Sequence, residues 1–212
     1  MLRNNTTYIY ALMGEGKTMI AVHKAKMYQD KGAIILSNIP LNEQYFKNYI
    51  FIEQPDQIEP TLEGLPIDVK KYLLLDEVDK WLIARLYKRE INIVLAQMYG
   101  YTRKNNCDVV STGHRLKNLD VMIRGITNYF YKPKMTANFE LSKEPFIRDY
   151  QPNEWFDKWY DRYKYLANEL ENNDIIYEIY NANGIYIDTR QLKNLKAIAR
   201  LYDTRSRVKP LM

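Results

Sequence analysis

A lysine with an adjacent hydroxyl residue, Lys17-Thr18, and a pair of adjacent carboxylates, Asp76-Glu77, lie in two separate stretches of the chain. A lysine ammonium can hold phosphate oxygens, and a threonine hydroxyl together with a carboxylate can ligate Mg²⁺. A second carboxylate can orient a water molecule and take its proton. These residue types suit the cleavage of a phosphoanhydride bond, provided that the fold brings the two stretches to one place.

The sequence around Lys17 predicts a phosphate-binding loop. The segment ALMGEGKT follows the apolar run Tyr8–Ala11 and leads into a helix-like segment. Glycines such as Gly14 and Gly16 let successive backbone N–H groups close around phosphate oxygens at a helix N-terminus, where the helix dipole also favours negative charge. Ala11 stands where the usual pattern has glycine, so the turn must form without the backbone freedom that glycine provides. The nucleotide-binding residues predicted on this basis are Ala11, Leu12, Met13, Gly14, Glu15, Gly16, Lys17, Thr18 and Met19.

The segment after the loop has the pattern of a helix that leads to a second strand. Apolar or aromatic residues recur at helical spacing, at Ala21, Val22, Ala25 and Tyr28. Gly32 ends the segment before a new apolar run over 33–36. Strand, loop, helix and strand is the order that a phosphate loop needs. The alternative interpretation is a glycine turn between a strand and a helix, with no ligand.

The second stretch has the pattern of a buried strand that ends in acidic residues. Tyr72–Leu75 runs directly into Asp76 and Glu77, as in a Walker B strand. Beside a phosphate loop, Asp76 would hold Mg²⁺ together with Thr18, and Glu77 would activate the attacking water. The alternative is that one of the two carboxylates caps a helix that begins near Asp79.

Further strands are predicted over 107–112 and over Tyr129–Tyr131, before Pro133. Strands that alternate with helices indicate a mostly parallel sheet with helices on both faces, and a ligand at the carboxyl ends of the strands. The segment 50–71 contains Pro55, Pro60, Gly64 and Pro66, and predicts an exposed insertion with a short strand and a turn of helix. The fold class is therefore α/β, with a P-loop NTPase core over 1–135.

Residues 136–212 are predicted to form a small α+β extension. Asn181–Gly184 lies between two apolar runs and predicts a hairpin. A basic helix is expected from about Thr189 to Leu201, either as a solvated face or as a phosphate-contacting patch. An apolar stripe at helical spacing would pack on the sheet or offer an aromatic platform to nucleic acid. The stripe consists of Trp155, Trp159, Tyr163, Leu166 and Leu170.

Composition limits the class of protein. The 212 residues are 46% apolar, enough for a substantial core. No run approaches the roughly 20 apolar residues of a membrane span, and the first residues lack the apolar segment of a signal peptide. The single cysteine, Cys107, lies in an apolar run and rules out an internal disulfide, which fits an intracellular protein. A net charge of +5 allows a polyanionic partner without requiring one.

The order of these motifs resembles the FtsK/HerA superfamily, within it the branch of zonula-occludens-toxin-like phage assembly proteins and viral genome-packaging ATPases. The resemblance rests on GEGKT, on a second strand ending Ser37–Leu41, on LLLDEV, and on the segment 102–114, which reads TRKNNCDVVSTGH. It covers roughly residues 6 to 133. It implies a ring-forming ATPase that uses ATP and Mg²⁺ to move double-stranded DNA.

The resemblance also implies roles for residues outside the two central motifs. Arg103 matches the arginine finger that reaches a neighbouring subunit's ATP, and Arg124 is a second candidate for that contact. Gly113 occupies the position at which the family usually has a glutamine that senses the γ phosphate. Thr112 or His114 would then take over that sensing. The alternatives are a capping or surface histidine, and arginines that are merely surface charges.

Two functions follow as expectations. The first is an ATP-hydrolysing motor that packages a viral genome into a preformed capsid and grips DNA through its backbone, without sequence recognition. Such a motor would be a homo-oligomeric ring in the host cytoplasm, docked on a capsid or virion membrane protein and associated with the virion. The second is a nucleotide-gated assembly factor with little turnover. A small-molecule kinase is disfavoured, because Glu77 would activate water and no acceptor pocket is evident.

Overall fold

The computed structural model describes residues 4–12, 14–78, 102, 104–116, 121–135 and 174–202. Eight strands form one sheet. They are β1 (Thr6–Tyr10), β2 (Ile34–Ser37), β3 (Tyr49–Phe51), β4 (Lys71–Leu75), β5 (Cys107–Gly113), β6 (Tyr129–Met135), β7 (Ile175–Asn181) and β8 (Tyr186–Leu192).

The helices of the described ranges follow individual strands. They are α1 (Lys17–Gln29), α2 (Ile58–Glu63), α3 (Val121–Ile126) and α4 (Leu195–Ala199), with a 3₁₀ turn at Pro55–Gln57. None of these helices combines the length and the apolar composition that crossing a lipid bilayer would require.

The sheet has a parallel part and an antiparallel part. Its strand order is β3-β2-β4-β5-β1-β6-β7-β8, and the neighbours from β3 to β6 are parallel. β7 and β8 then add antiparallel to β6. The central strands β4 and β5 are buried along their whole length, as expected for strands covered on both faces. The predicted mostly parallel α/β fold is confirmed.

The parallel pairing brings the carboxyl ends of β1, β4 and β5 to one edge of the sheet. Tyr10 pairs with Gly113, and Leu75 pairs with Ser111. The loop after β1 and the two acidic residues after β4 therefore begin at neighbouring points. This edge is where open α/β sheets bind ligands.

Two local predictions along the parallel part can be compared with the structure. The insertion over 50–71 does contain a short strand, β3, and helical turns. The strand predicted before Pro133 is longer than expected, because β6 continues to Met135. β1 pairs with β6 only as far as Tyr131, so Pro133 lies beyond the part of β6 that needs an N–H on that side.

The C-terminal hairpin is confirmed, whereas the extent of the basic helix is wrong. The turn between β7 and β8 contains Gly184, at a φ of 74°. Thr189 pairs with Glu178 and Arg190 with Tyr177 in the β7–β8 ladder. The residues from Thr189 to the end of β8 are thus held by cross-strand pairing, and the helix, α4, begins only after Asn194, whose φ is 62°.

Tyrosine rings pack between α1 and the sheet and between neighbouring strands. The rings of Tyr28 and Tyr72 have centroids 4.5 Å apart, and those of Tyr131 and Tyr177 are 5.3 Å apart. Lys24 on α1 donates to the Tyr131 hydroxyl at 2.7 Å. Burial, with a smaller contribution from the Arg190 charge, lowers the pKa of Lys24 to about 8. Some of the tyrosines therefore pack α1 against β4 and β6, and others join β6 to β7.

Some predictions fall outside the described residues. These are the apolar stripe from Trp155 to Leu170 and the helix near Asp79. The division of the chain at residue 135 also stays a prediction.

Candidate active site

The loop that joins β1 to α1 contains two glycines in the left-handed backbone region. Gly14 has a φ angle of 85° and Gly16 one of 81°, which residues with side chains rarely adopt. Glu15, between them, is half-buried. Gly16 is the N-cap residue of α1, and its carbonyl oxygen accepts a hydrogen bond from the Ile20 N–H at 3.1 Å. The first N–H groups of a helix and its dipole create an anion-binding end, and this end of α1 faces the loop.

Lys17 turns its side chain back over this loop. Its Nζ atom donates to the carbonyl oxygens of Ala11 at 3.0 Å and Leu12 at 2.8 Å, and the residue is only 7% exposed. The ammonium therefore lies where phosphate oxygens held by the loop would meet it. Of the other residues predicted to bind nucleotide, Met19 is buried in α1 and Met13 lies outside the described residues.

Thr18 and Asp76, which are far apart in the sequence, meet beside the loop. The Thr18 hydroxyl donates to the Asp76 carboxylate, at 2.9 Å from Oδ1 and 3.1 Å from Oδ2. Asp76 follows β4 directly and is 8% exposed. The predicted pair of metal ligands is thus brought into contact by the parallel pairing of β4 and β5 and of β5 and β1.

The surroundings of the Asp76 carboxylate fit a bound cation. Burial raises the pKa of this carboxyl, and the Glu77 charge acts in the same direction. Hydrogen bonds from Thr112 and Thr18 and the Lys17 charge oppose that rise. A buried carboxylate beside a hydroxyl supplies the oxygen ligands that Mg²⁺ prefers. Within the described ranges no three His, Cys, Asp or Glu side chains cluster as a metal site, so the remaining ligands would have to be nucleotide phosphates and water.

Glu77 adopts a strained backbone conformation at the edge of the site. Its φ angle is 48°, in the left-handed region that is uncommon for a residue with a long side chain. Its Oε1 atom lies 3.8 Å from Nε2 of His114, and these side chains are 24% and 31% exposed, respectively. The carboxylate is therefore reachable by solvent water, as a residue that activates water must be. His114 faces Glu77 across this gap.

Thr112 links the two acidic residues. Its hydroxyl donates to Asp76 Oδ1 at 2.7 Å and accepts a hydrogen bond from the Glu77 N–H at 2.8 Å. One buried hydroxyl thus orients the Asp76 side chain and the Glu77 backbone together. The role of Thr112 as a phosphate sensor stays a prediction, since its contacts here are to the acidic pair.

The glycine at the predicted sensor position has a packing explanation. A Cβ atom on Gly113 would lie 2.0 Å from the hydroxyl oxygen and 2.9 Å from Cζ of Tyr8, and Tyr8 is completely buried. The tyrosine on β1 thus occupies the space that a side chain at position 113 would need. Sequence reasoning could not detect this, because the two residues meet only through the pairing of β1 with β5.

Of the two candidate arginines, Arg124 is the one among the described residues. Arg103 lies outside the described residues. Arg124 is on α3, and among the residues that the structure describes its Nε atom is buried without a hydrogen-bond partner. Its role as a contact to a neighbouring subunit stays a prediction.

Sequence reasoning missed one residue of the site, Asn38. This asparagine follows β2, is 5% exposed, and makes two hydrogen bonds to the backbone of Asp76. The available signal was a polar residue directly after an apolar strand. Its partner could not be deduced, because β2 and β4 become neighbours only in the folded sheet.

The fold was compared with solved structures. The DNA-packaging ATPase of Sulfolobus turreted icosahedral virus is 14% identical over 91% of this chain and 98% of its own, with a TM-score of 0.52. The N-terminal domain of zonular occludens toxin from Neisseria meningitidis is 12% identical over 95% of this chain and 100% of its own, also at 0.52. This chain has the fold of the P-loop ATPases. A genome packaging NTPase from Sulfolobus turreted icosahedral virus 2, solved with AMPPCP, is 11% identical over 91% of this chain and 99% of its own, at 0.52.

These similarities confirm the predicted resemblance at the level of the fold. No protein-family model matches this chain, and no curated protein sequence matches it. Identities of 11 to 14% leave its chemistry to be argued from its own residues.

Proposed function

We propose that this chain binds ATP with Mg²⁺ at the carboxyl edge of its sheet and hydrolyses the terminal phosphoanhydride bond. The observation that carries the proposal is the contact of Thr18 with Asp76, at 2.9 Å, directly after the loop that encloses Lys17. The residue types that the reaction needs thus converge from two distant stretches. A glycine turn with no ligand would not need an acidic pair beside it.

Each residue of the cluster has a role in this reaction. The loop amides and Lys17 would hold the β and γ phosphates, with the Lys17 ammonium exchanging backbone carbonyls for phosphate oxygens. Thr18 and Asp76 would hold Mg²⁺, which when bound neutralises phosphate charge. Glu77, open to solvent on one side, would orient the attacking water and take its proton.

We further propose that hydrolysis drives the movement of double-stranded DNA by a ring of identical subunits. One protein of similar fold is a DNA-packaging ATPase, and this chain carries a net charge of +5. Arg103 or Arg124 would complete a neighbouring subunit's site, and a capsid or virion membrane protein would dock the ring. In this role the protein would act in the host cytoplasm and associate with the virion.

One observation favours the second candidate function, a nucleotide-gated assembly factor with little turnover. Gly113 has no side chain with which to contact the γ phosphate, and Tyr8 occupies the space beside it. If neither Thr112 nor His114 takes over the sensing, nucleotide would hold one conformation of the protein and be cleaved slowly. The same residues would bind ATP in both functions, and only the turnover would differ.

The test is to measure ATP binding and Mg²⁺-dependent hydrolysis by the wild type and two variants. Lys17→Ala removes charge-assisted hydrogen bonds worth about 1.5–3 kcal/mol each, so we expect ATP affinity to fall at least about tenfold. Glu77→Gln should keep binding and lower turnover by about 10²–10⁴-fold, the usual contribution of a general base.

Lys26→Ala is the matched control, since Lys26 lies on the same helix and pairs with Asp30 away from the loop. It should behave as the wild type does. Full ATP binding by Lys17→Ala would reject the loop as the phosphate site. Wild-type binding without any turnover would favour the assembly factor.

A further inference from the structure

Asn38 is a buried asparagine whose side-chain amide is paired with a single residue. Its Nδ2 atom donates to the Asp76 carbonyl oxygen at 2.9 Å, and its Oδ1 atom accepts from the Asp76 N–H at 2.7 Å. The two bonds fix the orientation of the amide, because only its nitrogen can donate and only its oxygen can accept. Both backbone groups of Asp76 are therefore satisfied by one side chain.

The pair continues the sheet beyond the ends of its strands. The β2–β4 ladder includes Ser37 paired with Leu74, and the Asn38 N–H donates to the Leu74 carbonyl at 3.2 Å. Past that point the Asn38 side chain replaces the backbone of β2 as the partner of Asp76. The main chain at Asp76 thus stays in register with the sheet, although β4 itself has ended.

This anchoring sets the geometry of the acidic pair. With its backbone fixed, Asp76 can direct its carboxylate to Thr18 at 2.9 Å and to Thr112 at 2.7 Å. The next residue, Glu77, leaves at a φ of 48°, a conformation that persists only where neighbouring groups impose it. The Asn38 pair on one side and the Thr112 hydroxyl on the other impose it here.

We propose that Asn38 is a positioning residue for the metal-binding and water-orienting carboxylates. It holds the backbone of Asp76 so that the metal-binding oxygens of Thr18 and Asp76 are in place before nucleotide arrives. The inference rests on the proposed function, since it concerns the same site. It assigns to Asn38 an effect on metal affinity and turnover, beyond its effect on folding.

The test uses Mn²⁺ in place of Mg²⁺, because its binding can be followed by electron paramagnetic resonance without any turnover. Mn²⁺ is titrated into the full chain with a non-hydrolysable ATP analogue, for the wild type and Asn38→Ala. Removing a group that orients a metal ligand typically weakens metal affinity by about 10–100-fold, and we expect a loss in that range. Affinity for the analogue without metal should change by less than about threefold, because the hydrogen bonds of Asn38 go to Asp76 and Leu74 and not to the loop.

A matched control separates positioning from folding. The Asn42 side chain also forms hydrogen bonds with backbone groups, donating to the Arg200 carbonyl at 3.1 Å and accepting from the Gln44 N–H at 3.0 Å. It lies in the same loop after β2 and has no hydrogen bond to the acidic pair. Asn42→Ala should lower the thermal midpoint yet leave Mn²⁺ affinity unchanged. If Asn38→Ala does not fold, Asn38→Ser replaces it, since a serine hydroxyl is too short to bridge both backbone groups.

Steady-state hydrolysis gives a second readout. For Asn38→Ala we expect the half-saturating Mg²⁺ concentration to rise about tenfold, and excess Mg²⁺ to restore part of the turnover. Wild-type Mn²⁺ affinity and Mg²⁺ requirement in Asn38→Ala, with only a lower thermal midpoint, would overturn the inference. Wild-type protein that binds Mn²⁺ with the analogue but never hydrolyses ATP would reject the proposed hydrolysis, while the Mn²⁺ titration would still decide the role of Asn38. Wild-type protein that binds neither would overturn both.

Discussion

At the scale of single residues, the site depends on hydroxyl and amide groups that orient two carboxylates. Thr18 and Thr112 both donate to Asp76, and Thr112 also accepts from the Glu77 N–H. Asn38 holds the backbone of Asp76 through both its N–H and its carbonyl oxygen. The sequence singles out Lys17, Thr18, Asp76 and Glu77 because their residue types and order indicate a chemistry, and their roles stay predictions. The groups that position them carry no such signature.

The contact of Gly113 with Tyr8 gives a prediction at this scale. Gly113→Ala would place a methyl group 2.0 Å from the Tyr8 hydroxyl oxygen, inside a fully buried region. Overpacking of this kind destabilises a protein by about 1–3 kcal/mol, which chemical denaturation would measure as a lower free energy of unfolding.

The double variant Gly113→Ala with Tyr8→Phe tests whether the contact with the Tyr8 hydroxyl causes this loss of stability. Removing the hydroxyl relieves the closest contact and leaves the one to Cζ, at 2.9 Å. The double variant should therefore lose less stability than the sum of the two single variants. Additive losses would mean that the two residues do not compete for the same space.

At the scale of elements, α1 is supported by the C-terminal hairpin as well as by the parallel strands. A Cβ atom on Gly16, the N-cap residue of α1, would lie 2.2 Å from Cδ1 of Ile175. Ile175 begins β7 and is completely buried. The hairpin thus touches the phosphate loop directly, at the residue whose left-handed conformation begins the helix.

This contact predicts that the hairpin affects nucleotide binding. Ile175→Ala should lower the free energy of unfolding by about 2–5 kcal/mol, as for other buried isoleucines. It should also weaken ATP binding, because Gly16 loses the surface against which it packs. The control is Ile187→Ala on β8, since Ile187 is 49% exposed. Unchanged ATP affinity in a folded Ile175→Ala protein would show that the loop does not rely on the hairpin.

The sequence predicted the order of these elements better than their extent. Hydrophobic periodicity located β1, α1, β2, β4 and β5, and the residues Asn181–Gly184 located the hairpin turn. The sequence analysis misassigned the segment from Thr189 to Leu192, because Arg190, Lys193 and Lys196 recur at a spacing that also suits an exposed helix. The pairing of Thr189 with Glu178 decides for the strand, and such cross-strand pairing depends on which strands become neighbours.

At the scale of the whole molecule, the sheet carries two kinds of surface. The carboxyl edge of its parallel strands holds the acidic pair and the loop, and the antiparallel strands extend the sheet on the side of β6. On β6, Lys132 and Lys134 are exposed on either side of the buried Pro133.

Under the proposed function, a subunit that shares its ATP site with a neighbour would work only in an assembly. Its activity would then depend on protein concentration and on the polymer that it moves.

The central claim is that ATP hydrolysis drives DNA movement in such an assembly. The most direct measurement is the Mg²⁺-dependent hydrolysis rate per subunit over a range of protein concentrations, with and without double-stranded DNA. Glu77→Gln protein provides the background. We expect the rate per subunit to rise with protein concentration and with DNA, and to vanish in the variant. A rate per subunit that is independent of both concentration and DNA would contradict the motor.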